Sequence, residues 1–357
     1  MRSFMPTRAW RWFWVILVSL IGLAVILIGA EAAYRSRLER AGGQPLIRYY
    51  RHKRLTRAMV RGVDYGDGVH INRYGFRGPD FDSLKAAGTI RIMTAGAGTT
   101  LDPCVRPDAQ TWPARLEYWL NELGSGRKFQ VINAGVAGAP MLDQVIRLQT
   151  ELHAYNPDVF VVYANHGIVN AQDLEVNPPD AQRPEAAIVT TPWADWLERH
   201  SRLYERFRAG SKRDVKPRRL SDEEWNLATE NAARAFERDL LSFGLIANGL
   251  NAKLVFAEIN RVTGARTPDQ FTAAEYRLWE RNFASPPRVV LSGYQRFKTI
   301  WRDVATRTGA TFIPVETDPI IGAANFCEND VIHFNKVGSN LMGQRMAKQL
   351  LEHALVN

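Results

Sequence analysis

Short apolar runs and stretches of helical spacing alternate along most of this chain. Five runs end in glycine or polar turns and have the continuous apolar character of strands buried on both faces. They occupy residues 90–100 and 129–138, each including its turn, and 158–164, 252–257 and 310–315. Helical spacing separates them, and the first such helix begins near Thr111-Trp-Pro113. Strands alternating with helices predict an α/β fold with a parallel sheet covered on both faces.

Residues 170–220 interrupt this alternation and are predicted to be an insertion. Their apolar side chains share one face of a predicted helix. That face is formed by Trp193, Trp196, Leu197, His200, Leu203, Tyr204 and Phe207. Such a face packs on its own domain, covers a cleft or meets a partner protein, and the sequence leaves these alternatives open.

The N-terminus carries an uncharged apolar run from Phe13 to Ala30. Its length approaches the roughly 20 residues needed to span a bilayer, and the tryptophans at positions 10, 12 and 14 suit a membrane interface. We therefore expect residues 1–33 to be an uncleaved membrane anchor. A small-residue site at Ala30-Glu-Ala32 leaves a cleaved signal peptide as the alternative.

Basic residues are concentrated in residues 34–69, which we predict to be a juxtamembrane linker, and they contribute to the net charge of +9. The linker would attract anionic lipid headgroups or an acidic partner. No nucleic-acid motif accompanies the charge, so we predict no nucleic-acid partner. Flanking charge alone would place the following domain in the cytoplasm, although large domains translocate largely regardless of charge. Residues 70–357 are enough for one large α/β domain.

Candidate chemistry lies just ahead of the last predicted helix, at Asp330-Val-Ile-His333. A histidine can take a proton from a nucleophile, and an aspartate can fix the tautomer of that histidine and stabilise its cation. The pair therefore indicates part of a hydrolytic site. Its alternative is a polar pair that caps the helix.

Taken in order, the motifs resemble those of the SGNH/GDSL hydrolases, in particular the membrane-anchored, envelope-facing members. The matching blocks are N-x-x-G-F-R-G at 72–78, G-x-G-T-T at 96–100, T-W-P at 111–113, N-A-G-x-x-G at 133–138 and D-x-x-H at 330–333. The resemblance implies a three-layer α/β/α fold around a parallel five-stranded sheet. It also implies a domain that faces the periplasm from the inner membrane.

The resemblance assigns roles to particular positions. His333 and Asp330 match the family's base and its orienting carboxylate, and Gly138 matches the residue that gives a backbone N–H to the oxyanion hole. The position of the nucleophilic serine is Gly98, and the position of a second oxyanion donor, an asparagine, is Gly167. Both functional side chains are therefore missing.

Neighbouring residues offer weak substitutes for the two missing side chains. Thr99, or Thr100 beside it, is an alternative nucleophile, and Asn165 could replace the missing asparagine only if its loop were rearranged. Cys104 and Cys327 follow turns that the fold would bring to the same edge of the sheet, so we predict a disulfide. Two unrelated buried thiols remain the alternative. The sequence gives no reason to expect a metal or a cofactor.

Three hypotheses follow. The first is a non-catalytic protein that serves as an accessory subunit of an inner-membrane assembly or as a glycan-binding module. The second is an active ester hydrolase or O-acyltransferase that acts on cell-envelope polysaccharide. The third is an ordinary family enzyme in which a serine has been exchanged for Gly98. The second missing side chain, the asparagine expected at Gly167, favours the first hypothesis over the third, because such an exchange would change one position only.

Overall fold

The computed structural model describes residues 7–40, 47, 49–50, 52, 54–124, 126–163, 201, 203–204, 222–283, 286–315 and 321–356. The chain divides into two compact units. One comprises residues 1–44 and 189–215, and the other comprises residues 45–188 and 216–357. The second unit contains every predicted strand.

The first unit contains helix α1, Thr7–Arg40. Its stretch Trp10–Tyr34 has a mean hydropathy of 2.8 and is long and apolar enough to cross a membrane. The large apolar side chains of this stretch are exposed. Near its end, the Glu31 carboxylate accepts hydrogen bonds from the Ser201 hydroxyl at 3.0 Å and the Leu203 amide at 2.9 Å. These two residues belong to the predicted insertion, most of which lies outside the described residues.

The second unit opens with two short antiparallel hairpins. Strand β1 (Tyr49–Tyr50) pairs with β2 (Ala58–Met59), and β3 (Val63–Asp64) pairs with β4 (His70–Ile71). Ile47 and Met59 are buried in a small apolar cluster with residues of these hairpins. The compact unit therefore begins at Pro45. This corrects the prediction that residues 34–69 form only a linker, because their apolar side chains have a core to join.

Five parallel strands form the central sheet, as predicted. They are β5 (Thr89–Ala95), β6 (Lys128–Asn133), β7 (Val159–Val162), β8 (Lys253–Ala257) and β9 (Thr311–Ile313). Their order is β6-β5-β7-β8-β9, and every neighbouring pair is parallel. From β5 the chain crosses to β6 on one side of β5. From β6 it crosses back to β7, on the other side of β5. Ligands of open α/β sheets bind at the carboxyl ends of the strands beside such a switch point.

Helices cover both faces of the sheet. They are α2 (Gly98–Leu101), α3 (Trp112–Leu123), α4 (Met141–Thr150), α5 (Asp222–Gly249), α6 (Ala273–Phe283), α7 (Pro287–Thr308) and α8 (Lys336–Glu352). Alternate residues of β7 join different cores. Val159 and Val161 pack with α3 and α8, whereas Phe160 and Val162 pack with α4, α5 and α7. This is the three-layer α/β/α arrangement that the resemblance implied.

The N-x-x-G-F-R-G motif forms a turn that holds the loop after α2. The Asn72 side chain accepts hydrogen bonds from the amides of Tyr74 and Phe76, both at 3.0 Å. The guanidinium of Arg77 is fully buried and pairs with Asp108 at 2.7 Å. It also donates to three backbone carbonyls, those of Leu101, Asp102 and Val105. Because one buried guanidinium joins a carboxylate and three carbonyls of the same segment, Arg77 fixes the path of this loop.

We expect Arg77→Met to lower the free energy of unfolding by about 3–5 kcal/mol, because it leaves a buried carboxylate and several carbonyls without their donor. Arg73→Met is the matched control. Arg73 lies in the same motif, but it is solvent-exposed and donates to one carbonyl, so its loss should cost about 1 kcal/mol or less. Denaturant unfolding of the full chain in detergent measures both values. Equal losses for the two variants would contradict this role for Arg77.

Candidate functional site

Two glycine-rich turns meet at the carboxyl ends of β5 and β6. A Cβ atom at Gly96 would lie 2.2 Å from the Tyr163 carbonyl oxygen, and one at Gly135 would lie 2.3 Å from the Leu101 amide nitrogen. Real Cβ atoms do not approach other atoms this closely, so both positions require glycine. The two turns pack against each other and against the end of β7 because neither glycine has a side chain.

The loop before α8 presents Asp330 and His333 as an oriented pair. The Cys327 amide donates to the His333 carbonyl at 2.9 Å, which closes the loop. One carboxylate oxygen of Asp330 accepts from the amides of Ile332 and His333, both at 2.9 Å. Its other oxygen lies 2.8 Å from His333 Nδ1. A carboxylate at this distance holds the proton on Nδ1, so Nε2 is left as a proton acceptor.

The surroundings of Asp330 favour its ionised form. Burial acts to raise the pKa of this carboxyl, but hydrogen bonding to the His333 ring, the charge of that ring and the two amides together place the pKa below its ordinary value. Asp330 therefore stays ionised at neutral pH. An ionised partner keeps the imidazole oriented and stabilises its protonated form.

The acceptor nitrogen of His333 faces Gly98. An ideal Cβ built on Gly98 would lie only 2.8 Å from Nε2 and 3.7 Å from Cε1 of the ring. The structure thus brings the base and the predicted nucleophile position together. The imidazole stands where a side chain at position 98 would begin, and glycine offers it no hydroxyl.

The neighbouring threonines direct their hydroxyls elsewhere. Thr99 and Thr100 are both buried, and the hydroxyls of both lie within hydrogen-bonding distance of the Tyr163 carbonyl oxygen. Neither hydroxyl has a hydrogen bond to His333 among the described residues. The geometry therefore does not favour Thr99 or Thr100 as a replacement nucleophile.

The second turn supplies a backbone amide beside this position. Ala137 Cβ is 3.8 Å from the Cβ position of Gly98, and Gly138 follows it in the left-handed conformation, with φ of +69°. Within the described part of the chain, the amides of Gly98 and Gly138 donate no hydrogen bond. Both are therefore available to a ligand oxygen. Gly167, the position of the missing asparagine, lies outside the described residues, as does Asn165.

Asp102 is a buried residue of the site that sequence reasoning missed. It ends α2 and is 1% exposed. One of its carboxylate oxygens accepts from the Trp112 amide at 2.9 Å and from the Ser339 hydroxyl. Its other oxygen has no hydrogen-bond partner among the described residues. Burial raises the pKa of Asp102 to about 6, and these two hydrogen bonds only partly offset the effect. Asp102 thereby connects the ends of α2, α3 and α8.

A disulfide also connects the two halves of the site. Cys104 and Cys327 are bonded, with Cα atoms 6.4 Å apart. Cys104 follows α2, and Cys327 lies in the loop that carries Asp330. The bond therefore connects the segment after Gly98 to the loop that carries His333. No group of three or more metal-ligating side chains occurs in the part of the chain that the structure describes.

The sheet order and the Asp-His pair opposite the first turn agree with the predicted resemblance. The chain has a three-layer α/β/α fold around a five-stranded parallel sheet. Comparison with protein families gives no match, and neither does comparison with curated proteins. Several solved structures are similar to it.

One is TesA, at 14% identity over 74% of this chain and 99% of TesA, with a TM-score of 0.44. Another is a GDSL-like lipase from Parabacteroides merdae, at 12% identity over 74% of this chain and 96% of the lipase, with a TM-score of 0.41. A third is a lipase/acylhydrolase from Enterococcus faecalis, at 13% identity over 74% of this chain and 96% of that protein, with a TM-score of 0.43. A likeness at this level does not extend to activity.

The raised pKa of Asp102 predicts a pH-dependent stability. Because the folded-state pKa of about 6 exceeds the ordinary value of 3.8, the stabilisation is complete below pH 4 and is lost as the pH rises through 6. Wild-type protein should therefore lose stability relative to Asp102→Asn between pH 4 and pH 7, by up to about 3 kcal/mol at about 1.4 kcal/mol per pKa unit. Denaturant unfolding of both proteins across this range measures the difference. A difference that does not change with pH would contradict the assignment.

Proposed function

We propose that this chain is a membrane-anchored protein whose SGNH-like site binds a ligand without cleaving it. One observation carries the proposal. His333 Nε2 is directed at Gly98, and no hydroxyl of the described residues forms a hydrogen bond with it. A base without a nucleophile can still hold a ligand through hydrogen bonds.

The expected losses in rate are large. Removing the nucleophile of a catalytic triad lowers turnover on the order of 10⁶-fold. Removing one oxyanion donor costs about 3 kcal/mol more, and the sequence has Gly167 where that donor is expected. Together these losses argue against ester hydrolysis through an acyl-enzyme.

The expected setting is the inner membrane, with the second unit in the periplasm. The apolar stretch of α1 supports attachment to a bilayer. The disulfide between Cys104 and Cys327 supports an oxidising compartment. In that setting the ligand would be a cell-envelope glycan, or the protein would serve as an accessory subunit of another inner-membrane protein.

One observation favours an alternative function, that of an ester hydrolase or O-acyltransferase on envelope polysaccharide. Asp330 and His333 keep the hydrogen bonds of a working base, with 2.8 Å between the carboxylate and Nδ1. Such a base could deprotonate a water or a sugar hydroxyl directly, without a covalent intermediate.

Ester turnover by the full chain distinguishes the two functions. We expect p-nitrophenyl acetate to be hydrolysed no faster by the wild type than by His333→Ala, because the base faces Gly98 and no described residue offers it a hydroxyl through a hydrogen bond. His353→Ala, a change at the exposed end of α8, controls for handling of the protein. Turnover that the wild type and His353→Ala share, and that His333→Ala loses, would refute the non-catalytic function and establish the alternative.

Restoring a serine at position 98 should not restore full activity. The new Cβ would stand 2.8 Å from Nε2, so the tip of the His333 ring would have to shift, and the oxyanion donor expected at Gly167 would still be missing. We expect Gly98→Ser to remain far below a family hydrolase in turnover. Gly249→Ser, where a Cβ meets no atom within 4 Å, is the control for adding a side chain. Robust turnover by Gly98→Ser that depends on His333 would show that the site accepts a side chain without rearrangement.

A further inference from the structure

We propose that Arg57, together with the backbone amides of Gly98 and Gly138, binds an anionic oxygen group of the ligand, a carboxylate or a phosphate. This inference rests on the proposed function, because it assigns a chemical class to the ligand of the same site. Arg57 comes from the segment between β1 and β2, which the sequence placed in a basic linker.

The β1–β2 hairpin holds this segment against the second glycine turn. The Thr56 amide donates to the Asp143 carboxylate at 2.8 Å, and its hydroxyl does so at 3.3 Å. Asp143 is fully buried in the first turn of α4. The guanidinium of Arg57 lies over the ring of Tyr49, 5.7 Å from its centroid. Arg57 is therefore held by β1 through Tyr49 and, through its neighbour Thr56, by α4.

The guanidinium of Arg57 lies directly beside Gly138. A Cβ on Gly138 would be 3.0 Å from Arg57 Cζ and 3.1 Å and 3.2 Å from its two terminal nitrogens. A side chain at position 138 would therefore crowd the guanidinium, and the φ of +69° disfavours one independently. The missing side chain leaves a cation next to an amide that donates no hydrogen bond within the described residues.

Arg57 is exposed, and no carboxylate forms an ion pair with it in the part of the chain that the structure describes. A guanidinium presents two parallel N–H donors that match the oxygens of a carboxylate or a phosphate. The amides of Gly98 and Gly138 add two further donor groups. Three donor groups, one of them charged, favour an anionic oxygen group over a neutral one.

Attraction to lipid headgroups is the simplest expectation for a basic residue in this segment, and Arg54 illustrates it. Arg54 is exposed, and its backbone amide donates to the His52 ring at 3.2 Å. Arg57 differs because the aromatic contact and the Thr56 bonds hold it at the glycine turn. Arg57 is therefore the residue with the proposed role, and Arg54 is a matched residue without it.

The experiment measures binding of acetate and of inorganic phosphate to the full chain in detergent, at constant ionic strength. The His333 ring resonances report occupation of the site. We expect saturable shifts with at least one of the two anions and none with acetamide, a neutral analogue of acetate. Arg57→Gln should weaken binding at least about tenfold, since a hydrogen bond to a charged group contributes that much. Arg57→Lys should retain part of the affinity, and Arg54→Gln should match the wild type.

The outcomes are separable from those of the turnover test. Equal affinities in the wild type and Arg57→Gln, or no saturable shift with either anion, would overturn the inference and leave the non-catalytic function untouched. Conversely, His333-dependent ester turnover would refute the non-catalytic function. Weaker anion binding by Arg57→Gln would still support the role of Arg57 in that case. Comparison of the affinities for acetate and for phosphate shows which anion the site prefers. Unfolding curves of Arg57→Gln that match the wild type exclude a folding defect.

Discussion

The site is organised by one steric constraint, the close approach of the His333 ring to the backbone of Gly98. Nε2 occupies space that the first atom of any side chain would need, so the residue at position 98 and the position of the ring depend on each other. A working triad separates these groups with a serine side chain. Here the ring directly faces the backbone, and under the proposed function it forms hydrogen bonds to a ligand instead of transferring a proton between side chains.

Several buried interactions maintain this approach from outside the site. Arg77 fixes the loop after α2 through three carbonyls and Asp108. Asp102 connects the same loop to the starts of α3 and α8, and the disulfide joins it to the loop that carries Asp330. Every one of these contacts acts on the segment that follows Gly98. These buried contacts therefore hold the turn that carries Gly98 and the loop that carries His333 in place relative to each other.

The sheet could be predicted because its strands are continuous apolar runs whose alternate residues enter two different cores, as Val159 and Phe160 do. Gly98 and His333 could be paired in advance because short motifs mark both turns. The hairpins formed by β1 to β4 could not be predicted, since strands of two residues have no measurable periodicity. Arg57 gave no signal either. It lies in a run of basic residues, and only the folded hairpin brings it to Gly138. Asp102 was missed because a single aspartate after two threonines is ordinary for a loop.

The most direct test of this account is the distance between the His333 ring and Gly98 in the full chain in solution. The structure places ring atom Cε1 3.7 Å from the Cβ position of Gly98. An NMR experiment should therefore show a nuclear Overhauser effect between the His333 Hε1 proton and the Gly98 α-protons, and Asp330→Asn should weaken it by releasing the ring. A ring that shows no contact with Gly98 in the wild type, and instead contacts a hydroxyl-bearing residue, would contradict the account.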